Sequence, residues 1–199
     1  SQGNLLDALQ IALPDTALLP DTLLMSENAM HVGFIPPGTD STCILNGLIF
    51  SNGYGRLGIQ DINGGGLFSS ETSSPTVDSC VFVGNLAADG GGAFVFDGQF
   101  TSCEFRNNAT FRIEEELNPL DGYGAGLYAN GGAFDNCLFS SNKSISYGGG
   151  IYGTGGTFNN CEILFNRLGT KGQGVGIYVN GGGEFYNCEI AFNVAPLTG

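Results

Sequence analysis

One phrase, Cys-x-x-x-x-Asn, recurs five times in this chain, at Cys80–Asn85, Cys103–Asn108, Cys137–Asn142, Cys161–Asn166 and Cys188–Asn193. Between the phrases stand glycine clusters that run into an apolar residue and then an aromatic: Gly64-Gly65-Gly66-Leu67-Phe68, Gly90-Gly91-Gly92-Ala93-Phe94 and Gly148-Gly149-Gly150-Ile151-Tyr152. A unit this short cannot bury an apolar face alone. Repetition at this period therefore specifies stacked coils that share one continuous core.

The Cys sets the register. An apolar residue stands three positions before it (Val77, Phe100, Phe134, Phe158, Phe185) and another two positions after it (Phe82, Phe105, Phe139, Ile163, Ile190). The residue directly after the Cys is Val81, Glu104, Leu138, Glu162 or Glu189, a position that must face water. The two-residue period of a strand thus turns the Cys and its second neighbour inward. A degenerate earlier copy spans Ile44 to Asn52, with Gly47 in the Cys place, Ile49 inward and Asn52 in the Asn place. This predicts an all-β, right-handed parallel β-helix of six coils. Each coil takes about 23 residues in three short strands and three bends, with insertions in particular coils.

Stacked in register, Cys80, Cys103, Cys137, Cys161 and Cys188 form a column of thiols about 4.8 Å apart. Parallel neighbours only sometimes meet disulfide geometry, so a reduced structural column is expected, with Cys43 outside it. The Asn residues (Asn85, Asn108, Asn142, Asn166, Asn193) belong in a bend, where the amide pairs with local backbone or with the next Asn along the axis. After the glycines, Leu67, Ala93, Leu127, Ile151 and Ile177 read as inward. Phe68, Phe94, Tyr128, Tyr152 and Tyr178 then read as an outward column, a plausible contact stripe or a filling between coils. The pairs Gly131-Gly132, Gly155-Gly156 and Gly181-Gly182 mark a further corner.

Two segments exceed the basic turn. Gly53–Asn63 carries Tyr54, Arg56 and Asp61, and Ala109–Ala125 carries Glu114, Glu115, Glu116 and Asp121. Both leave an Asn bend, so both are expected on one side, which makes Tyr54 and Arg56 candidate ligand contacts. The four carboxylates could bind Ca²⁺, although their order lacks EF-hand spacing and a solvated acidic loop is the simpler reading. No other cofactor is implied. His31 is the lone histidine and cannot build a multi-His zinc site.

The first 40 residues follow another pattern. Leu5, Leu6, Leu9, Ala12 and Leu13 keep a helical rhythm that Pro14 ends, which predicts a short helix capping the stack. Met25–Ile35 reads as early strands, followed by a turn at Pro36-Pro37-Gly38. The whole of 1–199 is expected to form one β-helix domain, with 1–40 as cap and first strands and 41–199 as repeat coils. No cap is visible after the last Asn bend.

Composition narrows the function. The net charge is −13, from 19 acids and 6 bases, which excludes nucleic acid as a partner. No apolar run reaches the roughly 20 residues that span a bilayer, and no leader is visible before Ser1. The acidic, Gly/Asn/Ser-rich and Lys-poor chain suits a secreted or outer cell-surface location.

The alternation of Cys-x-Phe-x-x-Asn with Gly-Gly-Gly-Ile-Tyr resembles the right-handed parallel β-helix repeats of bacterial surface and secreted proteins. It is most similar to the polymorphic outer-membrane protein type, through Phe82–Asn85, Phe105–Asn108, Phe139–Asn142, Gly91–Phe94 and Gly149–Tyr152. The stretches His31-Val32, Leu45–Ile49 and Ser74–Val77 also look like the opening of pectate-lyase-like secreted proteins. The resemblance implies the fold. It leaves two functions open, because such repeats serve adhesins and carbohydrate-active enzymes alike. A non-enzymatic module for adhesion, glycan or protein binding needs only a rigid rod and exposed columns. A polysaccharide lyase or glycoside hydrolase needs grouped carboxylates or a base, and Asp97, Asp121, Asp135, Arg106 and Arg167 are scattered. Glu162 and Glu189 are the only adjacent acids on the Cys+1 column. No catalytic residue is assigned.

Overall fold

The computed structural model describes residues 31–55, 63–111, 122–169 and 172–196. These residues wind into a right-handed parallel β-helix of six coils. Sheet I stacks Gly33–Ile35, Leu67–Ser69, Ala93–Val95, Leu127–Ala129, Ile151–Gly153 and Ile177–Val179. Sheet II stacks Ile44–Asn46, Thr76–Asp78, Gln99–Thr101, Ala133–Asp135, Thr157–Asn159 and Glu184–Tyr186. Sheet III stacks Ile49–Ser51, Val81–Val83, Glu104–Arg106, Leu138–Ser140, Glu162–Leu164 and Glu189–Ala191. Every pairing is parallel, so each residue lies over its counterpart one coil away.

This register builds the core. Phe50, Phe82, Phe105 and Phe139 stack with ring centroids 4.9, 4.6 and 4.7 Å apart. Phe100, Phe134, Phe158 and Phe185 do the same at 4.9, 4.7 and 4.6 Å. The separation is the strand spacing itself, so rings from successive coils stack along the axis. Burying each ring contributes about 1.5–3 kcal/mol.

Corners close each coil at positive φ. After sheet II the position is Gly47, Ser79, Ser102, Asn136, Asn160 or Asn187, and after sheet III it is Asn52, Gly84, Asn107, Ser141, Phe165 or Phe192. The glycine clusters serve a second purpose. A Cβ on the third glycine of a cluster, as at Gly66, Gly92, Gly126 or Gly150, would lie 2.7–2.9 Å from the Nδ2 of the Asn in the same coil. Glycine cluster and Cys-x-x-x-x-Asn phrase are therefore two halves of one packing requirement.

Two sequence expectations change. The first coil is one residue out of the expected register. Phe50 pairs with Phe82 and is buried, whereas Ile49 pairs with Val81 and is exposed. Leu48 accordingly takes the Cys place, and Gly53 takes the Asn place by donating its N–H to Asn85 Oδ1 at 2.8 Å. A one-residue shift exchanges the faces of a strand, and burial of the larger Phe50 decides it. Second, four coils carry a fourth strand directly after the Asn bend. Leu86–Ala87, Ala109–Thr110, Lys143–Ser144 and Arg167–Leu168 form sheet IV. Of the early strands expected over Met25–Ile35, residues 31–35 are described and hold the strand Gly33–Ile35. The predicted capping helix lies outside the described residues.

Candidate functional site

The inward polar column is a continuous ladder. Nδ2 of Asn85, Asn108, Asn142 and Asn166 each donates to Oδ1 of the next Asn at 3.0 Å. The same Oδ1 accepts the backbone N–H of the preceding Asn at 2.9–3.0 Å. The second Nδ2 hydrogen goes to a sheet III carbonyl, as from Asn142 to Phe105 O at 2.9 Å. Asn85, Asn108, Asn142 and Asn166 are buried, and this pattern satisfies each amide completely.

All six cysteines are free of disulfides. In the column each Sγ–H donates to backbone carbonyls, as from Cys137 to Asp135 O at 3.4 Å. Burial pushes the Cys80 and Cys188 thiols up. Cys137 rises further, through hydrogen bonding with Cys103 and Cys161 and through burial. Among the described residues no group of His, Cys, Asp and Glu could hold a metal ion.

The expected aromatic column stands on the outer face of sheet I, opposite the buried Leu67, Ala93, Leu127 and Ile151. Phe68, Phe94, Tyr128, Tyr152 and Tyr178 follow one another at 5.5, 4.3, 4.8 and 5.5 Å. Sequence reasoning missed its extensions. Phe34 continues it at one end, 6.0 Å from Phe68, and Phe96 packs across Phe94 at 5.5 Å. Tyr123 lies 4.7 Å from Tyr152, and Tyr147 lies 4.7 Å from Tyr178. These two come from a corner just before the glycine cluster, where Tyr123, Tyr147 and Gln173 bridge in parallel. The stripe thus has a phenylalanine half and a cluster of five tyrosines.

Stacking decides what the stripe presents. Ring faces within the column are spent on each other, and Phe94 and Tyr152 are largely buried although they point away from the core. The column therefore presents ring edges more than ring faces. Tyr152 Oη accepts from Asn180 Nδ2 at 3.2 Å. The Tyr128 hydroxyl is pushed up to about 12 by burial, with smaller contributions from Tyr152 and Asp89.

The other candidates are dispersed. Tyr54 bridges Leu86 at the end of sheet IV, and its ring lies 5.7 Å from Phe111. The points where the two insertions leave the stack are thus adjacent. Arg56, Glu114, Glu115, Glu116 and Asp121 lie outside the described residues. A cleft of about 420 Å³ crosses the corner into sheet II, lined by Ser41, Ser74, Asp97, Gln99 and the backbone of Gly98 and Gly132. Asp97 is its single carboxylate. Glu162 and Glu189 pair in register on sheet III, both exposed. Glu104 holds Arg106 at 3.3 Å.

Residues 136–154 match the Chlamydia polymorphic membrane protein (Chlamydia_PMP) repeat. The matched stretch holds one Cys-x-x-x-x-Asn phrase and the following glycine cluster through Tyr152. No curated protein and no solved structure matches the chain. Among the described residues no helix is long and apolar enough to cross a membrane.

Proposed function

We propose that this chain is a secreted or cell-surface β-helix module that binds a glycan or a surface protein and carries no catalytic activity. The observation that carries the reading is the sheet I stripe, which runs the length of the stack. Aromatic side chains combine a large apolar body with polar tips at low conformational cost, and tyrosine-rich surfaces are favoured at interfaces for that reason. The match to a membrane-protein repeat supports the location.

The enzymatic alternative has less behind it. Two carboxylates must flank a glycosidic bond in a hydrolase, and the sheet II cleft has one. Glu162 and Glu189 stand on an open sheet, where water screens both. A glycan array and a panel of surface proteins, probed with the wild type and the Tyr128→Ala/Tyr152→Ala double variant, test the proposal. Binding of an uncharged glycan or a surface protein that the double variant loses is the expected result, and retention of all such binding removes the stripe.

A further inference from the structure

The corner after sheet III breaks its own residue rule. Its first four occupants are Asn52, Gly84 and Asn107, types that accept positive φ readily, and the small Ser141. The last two are Phe165 and Phe192, each at φ 57. A bulky aromatic there is an outlier, and strained placements of this kind concentrate where a surface has a task. Burial does not explain them, since Phe165 is 53% and Phe192 66% exposed. The rings stack on each other 5.1 Å apart at 9°.

Ser141 is the next occupant of the same column, one coil nearer the N-terminus. Its N–H bonds to Leu164 O across the coil boundary at 3.1 Å. Its side chain is too short to cover the ring beside it. Among the described residues no ring stacks on the face of Phe165 that turns away from Phe192, and Phe165 is 53% exposed, so the change from Ser141 to Phe165 makes a step in the column, here called the notch. Two residues along the chain from Ser141 and Phe165, Lys143 and Arg167 pair in register on sheet IV and both are exposed. Among the described residues neither has a carboxylate partner. Like charges in register repel, in a chain that has only 6 bases to place.

The geometry points to a binding site for a sugar ring that carries one carboxylate, seated over Ser141 with its C–H face on Phe165 and its carboxylate between Arg167 and Lys143. The Arg fork and the Lys ammonium provide charge-assisted hydrogen bonds from two directions. The net charge of −13 selects a singly charged glycan, because a polyanion would be repelled before contact. The site lies at a different corner from the sheet I stripe and stands or falls independently of it.

The test is titration of the full chain with 3′-sialyllactose, with lactose as the neutral control, followed by ligand-observed NMR. Sialyllactose is expected to bind at least about ten-fold more tightly than lactose, with affinity falling as salt is added. Ser141→Phe should fill the notch and abolish binding with cooperative thermal unfolding retained, since the following two coils already hold Phe at this position. Phe165→Asn removes the open face and should abolish binding too, in a residue type suited to the corner. Arg167→Ala with Lys143→Ala should reduce sialyllactose to the level of lactose. Equal affinity for the two sugars, no binding of either, or full binding by Ser141→Phe or Phe165→Asn overturns the assignment.

Discussion

Asn108 donates from Nδ2 to Asn142 Oδ1 at 3.0 Å, and the same oxygen takes the backbone N–H of Asn108 at 2.9 Å. One amide oxygen thus satisfies two donors of the coil before it. The Asn142 amide nitrogen in turn serves Phe105 O and Asn166 Oδ1. The ladder holds adjacent coils at one height and fixes the register on which all the outer columns depend.

Asn142→Ala should therefore be costly. It leaves the Asn108 amide and N–H, Phe105 O and Asn166 Oδ1 short of a partner in a buried site. A loss of about 3–5 kcal/mol is expected from urea unfolding. Asn193→Ala, at the half-buried end of the ladder, should cost about 1 kcal/mol. Equal losses at the two positions would contradict the cooperative ladder.

Phe105→Ala removes a ring stacked between Phe82 and Phe139 in the centre of the core. Denaturant unfolding should show a loss of about 3–5 kcal/mol. Phe192→Asn should behave in the opposite way. It replaces an exposed aromatic at φ 57 by a residue suited to that region, and stability should be unchanged or raised by up to about 1 kcal/mol.

The thiols should fall into two groups. Cys43 and Cys188 are partly exposed and should react with a thiol reagent in the folded protein, while Cys80, Cys103, Cys137 and Cys161 should react only as the chain unfolds. Rapid modification of all six in native buffer would contradict the buried column.

Alkaline pH should weaken the fold through Tyr128. Its hydroxyl titrates near 10.0 when unfolded and at about 12 in the stack. The folded state keeps the proton more tightly, so this contribution is complete below pH 10 and is lost as pH rises towards 12. Thermal melts across that interval should show a smaller decline for Tyr128→Phe than for the wild type.

Much of this architecture is legible in the sequence because one coil repeats another. Cys80, Phe82 and Asn85 each sit on an inner column, and the alternation Leu67-Phe68 assigns the two faces of sheet I correctly. The first coil was harder to read because it lacks both marker residues. The repeat pattern aligns Gly47 with the Cys, yet Leu48 holds that place. Sheet IV is built from two-residue strands, too short for any period to register. The self-burial of the aromatic column depends on rings from successive coils meeting at the strand spacing, a distance invisible in one coil. The Phe165–Phe192 pair was within reach: once the Cys is the anchor, the fourth residue after it reads Gly84, Asn107, Ser141, Phe165, Phe192, and the change of type stands out.

The most direct test of recognition without turnover is a single experiment on a panel of polysaccharides and glycans. Bound fraction and release of new sugar ends are followed together, for the wild type and for Tyr128→Ala/Tyr152→Ala. For the uncharged members the account predicts retention of at least one, no cleavage products, and loss of retention in the variant. Accumulating product, or retention that the variant preserves in full, would contradict it.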